Sequence, residues 1–289
     1  MKIRFPLRAY KTLDRLYLHY DKKMIRRTRN LGLMPGLSER SAPGRPSYGE
    51  WCYLVGIFQT LLRTNLKKDT DNDVLDVGCG TGIMAIASQP FLGDKGHYTG
   101  IDVKRSDIEF CRQHYPNKNF SFIHLDASNQ VFAPDQSAGK VKWEVADASA
   151  DVVTALSVWT HMNEDDAIFY FREIDRVLKP GGKAIITFYL LDDLYHSSVN
   201  TWADKMGRYN NSYQNSRIFN TPSSQSKNWF HPDWAAKPEE TIGVTPAGIQ
   251  TMLDATRLSL VETYVGNWKE VPGVFYQDIL VFENTNGAS

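Results

Sequence analysis

Nine consecutive residues, Val74-Leu75-Asp76-Val77-Gly78-Cys79-Gly80-Thr81-Gly82, are the most chemically suggestive string in the chain. The apolar run over 74–77, broken by one acid, reads as a short buried strand. The glycines that follow at alternate positions let the backbone turn sharply and approach a ligand closely. Ile83–Ser88 then reads as the start of a helix that Pro90 closes. A second acid, Asp102, ends the next strand, 20 residues beyond Gly82. A carboxylate there can accept hydrogen bonds from both hydroxyls of a ribose. A glycine-rich turn alone is often no more than a tight strand–helix connection. The acid at the second strand end and the whole nine-residue string favour a nucleoside site at the carboxyl edge of a parallel sheet.

The glycine spacing narrows the ligand. Dinucleotide folds usually space their glycines as G-x-G-x-x-G, whereas this loop reads G-x-G-x-G with Asp76 before it. That acid would repel a pyrophosphate and attract an ammonium group, such as the one on the methionine part of S-adenosylmethionine. Past the fourth strand lies Ser157-Val158-Trp159-Thr160-His161. His161 titrates in the useful range and is the side chain nominated for proton chemistry; the alternative is that it hydrogen-bonds a loop and orients it. Cys79 lies in the glycine loop, and Cys52 and Cys111 have no nucleophile context, so covalent cysteine catalysis is not expected. No His/Asp/Glu cluster has ligand spacing, so no metal is expected.

These residues need a frame of alternating strands and helices. Strands are predicted at 74–77, 97–101, 120–124, 151–156 and 183–189, with helices at about 50–66, from 83, at 108–114 and at 165–178. Pro180-Gly181-Gly182 is expected to stop the last of these helices. Thr245 and Pro246 mark another helix start. Two closing strands, 259–265 and 274–282, are joined by a loop too short for a parallel crossover, so the last is expected to be antiparallel. The expected fold is α/β: a Rossmann-like seven-stranded sheet, six strands parallel and the last antiparallel. Residues 127–150 read as an insertion with a hairpin. Residues 190–240 read as an insertion cap, with Tyr195, Trp202, Tyr209, Tyr213, Phe219, Trp229, Phe230 and Trp234 either lining a substrate pocket or forming the insertion's own small core.

Composition bounds the setting. Among 289 residues, Lys+Arg and Asp+Glu both number 33, and this balance does not favour a nucleic-acid partner. The charge is uneven, since residues 1–30 contain ten Lys/Arg and two Asp. Within them Leu13, Leu16, Tyr17, Tyr20 and Met24 have helical spacing opposite a basic face. Three readings of this segment stay open: peripheral contact with an anionic membrane, a lid, or simple packing on the body. Three scattered cysteines fit a reducing compartment, and no secretory signal or spanning segment is read, so the expected location is the cytoplasm, membrane-associated if the first reading holds.

The strings VLDVGCGTG, GIDV, DVVTALSVWTHM and REIDRVLKPGGKAIITF resemble the class I S-adenosylmethionine-dependent methyltransferases, over roughly residues 70–190. The ending YQDILVFE is similar to a bacterial subgroup of unknown substrate. The resemblance implies S-adenosylmethionine as cofactor, with Asp76, Gly78, Cys79, Gly80 and Gly82 around its methionine and ribose. It implies Asp102 on the ribose hydroxyls, and Asp126 with Ala127 at the adenine. It sets Ser157 and Trp159 beside cofactor and acceptor, near His161. A basic helical or lid segment would occupy 1–66 and the methyltransferase domain 67–289. The turn after the fourth strand lacks the Asn/Asp-Pro-Pro-aromatic sequence common in base N-methyltransferases. The expected reaction is methyl transfer to an oxygen of a small molecule, sugar or lipid-linked glycan. Alternatives are a small-molecule N-methyltransferase, an inactive S-adenosylmethionine-binding module and, remotely, an NAD-dependent oxidoreductase.

Overall fold

The computed structural model describes residues 9, 12–13, 15–16, 31–40, 47–116, 118–135, 139–202, 204–209 and 214–285. Most of the basic segment 1–30, and Tyr213, therefore lie outside the described residues. Of that segment, residues 9, 12–13 and 15–16 are helical, and Leu13 and Leu16 are exposed. The chain forms two compact units, residues 1–124 and 125–289.

In the first unit, α1 (Tyr48–Asn65) begins at Ser47, whose Oγ accepts a hydrogen bond from the Glu50 amide at 3.1 Å. Trp51, Leu54, Val55, Phe58, Leu61 and Leu62 recur at helical spacing and are buried. Strand β1 (Val74–Val77) is buried at every position, and α2 (Ile83–Ser88) is buried throughout. Two further strands, β2 (Tyr98–Asp102) and β3 (Phe120–His124), flank α3 (Arg105–His114) in sequence. β2 pairs in parallel with β1 and with β3.

In the second unit, β4 (Ala150–Ala155) leads to α4 (Glu164–Val177) and then to β5 (Leu178–Phe188), parallel to β4. After α5 (Asp193–Trp202) comes a small antiparallel sheet of β6 (Thr221–Pro222), β7 (Trp229–His231) and β8 (Gly243–Val244). Helix α6 (Pro246–Asp254) starts at the Thr245 cap, where Oγ1 accepts the Gly248 amide at 3.2 Å. Strands β9 (Leu258–Tyr264) and β10 (Asp278–Asn284) follow. β10 lies between β5 and β9 and is antiparallel to both. Strands β1–β5, β9 and β10 belong to one seven-stranded mixed sheet, the Rossmann-like α/β arrangement expected. Among the described residues no helix is long and apolar enough to cross a membrane.

Some expectations need correction. α4 ends at Val177, before Pro180, because Leu178 already has extended backbone and pairs with Ala150. The register then jumps to Lys183 opposite Val152, and Gly181 (φ +68°) accommodates the irregularity. The described part of 127–150 holds no hairpin of strands, only a bridge between Asn129 and Ala133. Its far half is clamped to α4: the Trp143 amide donates to Glu173 (2.8 Å), and Arg176 binds the carbonyls of Trp143 and Val145. The described aromatic residues of 190–240 differ in burial. Tyr195, Trp202 and Phe219 form a core with Tyr189, Leu191 and Trp268, and Trp229 is wholly buried. Phe230 packs partly against this core, whereas Tyr209 and Trp234 are exposed.

Candidate active site

The nucleoside half of the expected site lies in the first unit. Gly78, Gly80 and Gly82 all have positive φ (69°, 49° and 97°), so the loop follows a path closed to most side-chain-bearing residues. The amides of Gly78 and Cys79 both donate to the Ile101 carbonyl, at 2.8 and 3.0 Å, tying the loop to the end of β2. There the Asp102 carboxylate accepts the Gly80 amide on Oδ2 and the Lys104 amide on Oδ1, each at 2.8 Å. Each oxygen keeps a further lone pair, enough for two hydroxyls. Burial pushes the Asp102 carboxyl up, while the Lys104 and Gly80 amides oppose the shift by favouring the charged form.

Neighbours that were not read from the sequence brace the loop. Tyr115 Oη donates to the carbonyls of Thr81 and Gly82 at 2.9 and 3.1 Å. Cys111 Sγ lies 3.3 Å from the Gly80 carbonyl. Cys79 is buried, and its thiol is pushed up by its hydrogen bond with Cys111 and by burial, which keeps it from acting as a thiolate. Asp76 departs from the simple expectation. It is only 1% exposed and accepts the Tyr98 hydroxyl at 2.6 Å, so its charge acts from behind the loop rather than at the surface.

The remaining nominated residues belong to the second unit. Asp126 is exposed and Ala127 buried. Ser157 has φ +59°, a left-handed conformation that costs a non-glycine residue about 1–3 kcal/mol. Three bonds stabilise it: its amide to Thr187 Oγ1 (2.7 Å), its Oγ to Gln277 Oε1 (2.9 Å), and Thr187 Oγ1 to the same Oε1 (2.7 Å). Trp159 does not present its indole to a ligand. The ring is 1% exposed, donates to the Ala167 carbonyl at 3.3 Å and meets Phe171 edge-on. An indole is mostly apolar, and α4 offers it a dry surface with one acceptor.

His161 is half-buried, with Nδ1 2.8 Å from the Glu239 carbonyl. A carbonyl only accepts, so Nδ1 carries the proton and Nε2 of the neutral ring is left as an acceptor. Burial pulls the imidazole pKa down, the Glu239 bond opposes that, and the positive charge of Arg217 adds to the fall. Burial and the Arg217 charge thus both favour the neutral ring. Phe132 stands edge-on to it at 4.9 Å. Neighbouring contacts fix the same turn: Ile242 N donates to Thr160 O at 2.7 Å, and Asn163 bridges the Glu239 carboxylate and the Ser223 hydroxyl. Glu239, Thr187, Gln277 and Arg217 are distant in sequence from the residues they support, and no local motif announces them.

The chemistry of the first unit fits an adenosine with a cationic side chain: a carboxylate for a diol, a glycine turn, and a buried acid behind it. Comparisons agree. Residues 74–182 match a family described as a methyltransferase domain. The demethylmenaquinone methyltransferase of Staphylococcus epidermidis is 33% identical over 130 residues, 45% of this chain and 48% of that protein. The O-methyltransferase rstn1 of Aspergillus nomiae is 32% identical over 123 residues, 41% of this chain and 47% of that protein. The chain spans about half the length of the curated relatives it matches. In fold it is similar to the PH0226 protein from Pyrococcus horikoshii OT3 (TM-score 0.53, 18% identity, 85% of this chain and 97% of that one). It is likewise similar to an S-adenosylmethionine-dependent methyltransferase from Mesorhizobium loti (0.51, 15%, 80% and 99%). Residues 74–182 thus carry a likeness to a methyltransferase domain, and the fold is that of solved structures named as S-adenosylmethionine-dependent methyltransferases.

Proposed function

We propose that the protein transfers the methyl group of S-adenosylmethionine to a hydroxyl oxygen of a small-molecule acceptor. The observation that carries the reading is the Asp102 carboxylate, pinned by the Gly80 and Lys104 amides beside three left-handed glycines. In this reading Asp102 binds the ribose hydroxyls, and Gly78, Cys79, Gly80 and Gly82 let the backbone approach the methionine part. Asp76 adds negative charge from below, and Asp126 with Ala127 takes the adenine. When bound, the cofactor supplies an electrophilic methyl and a neutral leaving thioether. What remains for the chain is alignment and removal of the acceptor's proton.

His161 is suited to that removal, because Nδ1–H is committed to Glu239 and Nε2 is an acceptor on a neutral ring. Ser157, in its strained conformation, sets the turn that leads to His161. Relatives named for demethylmenaquinone and for O-methylation support a small organic acceptor. Calorimetric titration with S-adenosylmethionine, on wild type and on Asp102→Ala, tests the cofactor half. One-to-one binding lost in the variant is expected; equal binding by folded Asp102→Ala would remove Asp102 from the site. For the acceptor half, His161→Gln should retain cofactor binding and lose turnover by about 10²–10⁴-fold. Near-normal turnover would leave His161 as an orienting residue only.

A further inference from the structure

One half-buried cation in the second unit has only neutral partners among the described residues. Arg217 ends a short 3₁₀ turn, Gln214–Arg217. Its guanidinium lies over the rings of Tyr189 (5.2 Å) and Tyr276 (5.8 Å). Nε bonds the Tyr276 hydroxyl at 3.0 Å, and Nη1 donates to the Ser216 carbonyl at 3.1 Å. Tyr276 does not balance the charge as a phenolate, because burial and the neighbouring Tyr189 push its pKa up to about 12. Among the described residues no carboxylate pairs with Arg217. Other shielded cations of the same unit are matched: Lys269 by Asp192 and Asp278, Arg176 by Glu173 and Asp147. A half-buried guanidinium without an anionic partner keeps donor capacity for a ligand.

The charge without an anionic partner is tied to the acceptor-side residues: Tyr276, which accepts from Arg217 Nε, directly precedes Gln277, whose Oε1 accepts the Ser157 hydroxyl. Its field reaches His161, adding to burial in lowering that ring's pKa. Arg217 is the charge acting on the imidazole; Glu239 reaches it only through its backbone carbonyl, with its carboxylate turned to Asn163. A guanidinium fork matches the two oxygens of a carboxylate or phosphate.

We propose that Arg217 recognises an oxyanion on the acceptor, which makes the substrate an acidic hydroxy compound carrying a carboxylate or a phosphate. The inference rests on the reading of His161 as the acceptor-side base. It adds a consequence: an anion that neutralises Arg217 raises the pKa of His161, so the base strengthens when the acceptor arrives.

The test uses the full chain, with benzoate, phenyl phosphate and uncharged benzamide as probes. Histidine NMR titration, with His161 assigned from His161→Gln, reads the ring directly. Benzoate, phenyl phosphate or both should raise the His161 pKa, and benzamide should not. A response to benzoate alone assigns a carboxylate, and one to phenyl phosphate alone assigns a phosphate. Arg217→Gln should raise the His161 pKa without any probe and weaken anion binding at least tenfold; Arg217→Lys should keep the charge effect and lose part of the affinity. If Arg217→Gln does not fold by circular dichroism, wild type and Arg217→Lys decide. Silence of His161 to both anions, or unchanged anion affinity in folded Arg217→Gln, overturns the proposal. S-adenosylmethionine titration on the same wild-type sample separates the two readings. Anion response without cofactor binding refutes methyl transfer and leaves the anion site; cofactor binding without anion response does the reverse.

Discussion

Replacing Lys269 by methionine should destabilise the second unit strongly, and the deficit should depend on pH. Lys269 and Asp278 are both 0% exposed. Lys269 Nζ lies 2.7 Å from Asp192 and 3.0 Å from Asp278. Asp278 also accepts the amides of Gly266 (2.8 Å) and Leu190 (3.0 Å) and the Trp268 indole (2.8 Å). Lys269→Met conserves volume but leaves a buried carboxylate without its cation, a loss of about 3–5 kcal/mol. At ~2–4 °C per kcal/mol, the melting midpoint should fall by roughly 6–20 °C. Burial raises the folded pKa of Asp278 above its usual 3.8, and Lys269 and the donors oppose that rise. A carboxyl with a raised folded pKa favours the fold below its unfolded pKa, and this contribution is lost as pH climbs through the folded value. Without Lys269 the folded pKa rises further and the loss extends toward neutrality. Urea denaturation should therefore show the deficit larger at about pH 7.5 than at about pH 5. Lys269→Met with Asp278→Asn should recover part of it at the higher pH. A deficit equal at both pH values, with no recovery in the double variant, would refute the reasoning.

Other perturbations probe the two half-sites. Gly82→Ala places a Cβ 2.3 Å from Tyr115 Oη at a φ of +97°, so the loop or the tyrosine must move. We expect a loss of about 2–4 kcal/mol in urea melts from the left-handed conformation and the two tyrosine bonds, with S-adenosylmethionine affinity falling too. Trp159→Phe removes one buried hydrogen bond and some volume; stability should drop by about 1–2 kcal/mol with cofactor affinity unchanged, as calorimetry would show. The acid limb of the kcat/KM–pH profile, which reports the free enzyme, should fall below 6.5, because burial and Arg217 lower the His161 pKa. A limb at or above that value would remove His161 from proton transfer.

The backbone frame of the glycine loop was largely legible because its signals are local. Val74–Val77 is a buried strand by composition, the glycines take the backbone angles that glycine favours, and Asp102 is a strand terminus in register with them. The antiparallel β10 was legible from loop length alone. What escaped is set by contacts between distant positions. The Ser157 turn depends on Gln277, 120 residues away, and His161 depends on Glu239, 78 residues away. Trp159 reads as a pocket aromatic in the sequence, yet α4 supplies the surface that buries it. Strands β6, β7 and β8 have two or three residues each, too short for any periodicity to show.

The position of β10 has a consequence for how the protein is made. β9 is synthesised before β10, yet its place in the sheet is defined only by pairing with β10. Until residues 278–284 emerge from the ribosome, β5 keeps a bare edge and β9 has no ladder to join. Leu260 and Val261, 40% and 46% exposed even in the finished sheet, are then carried on an unpaired strand. The same late strand starts at Asp278, directly after Gln277, and so brings the anchor for Ser157 and the counter-charge for Lys269 together. The support of the Ser157 turn, the counter-charge of Lys269 and the closure of the sheet thus all wait on one strand, and until it pairs the chain carries an open sheet edge prone to aggregation.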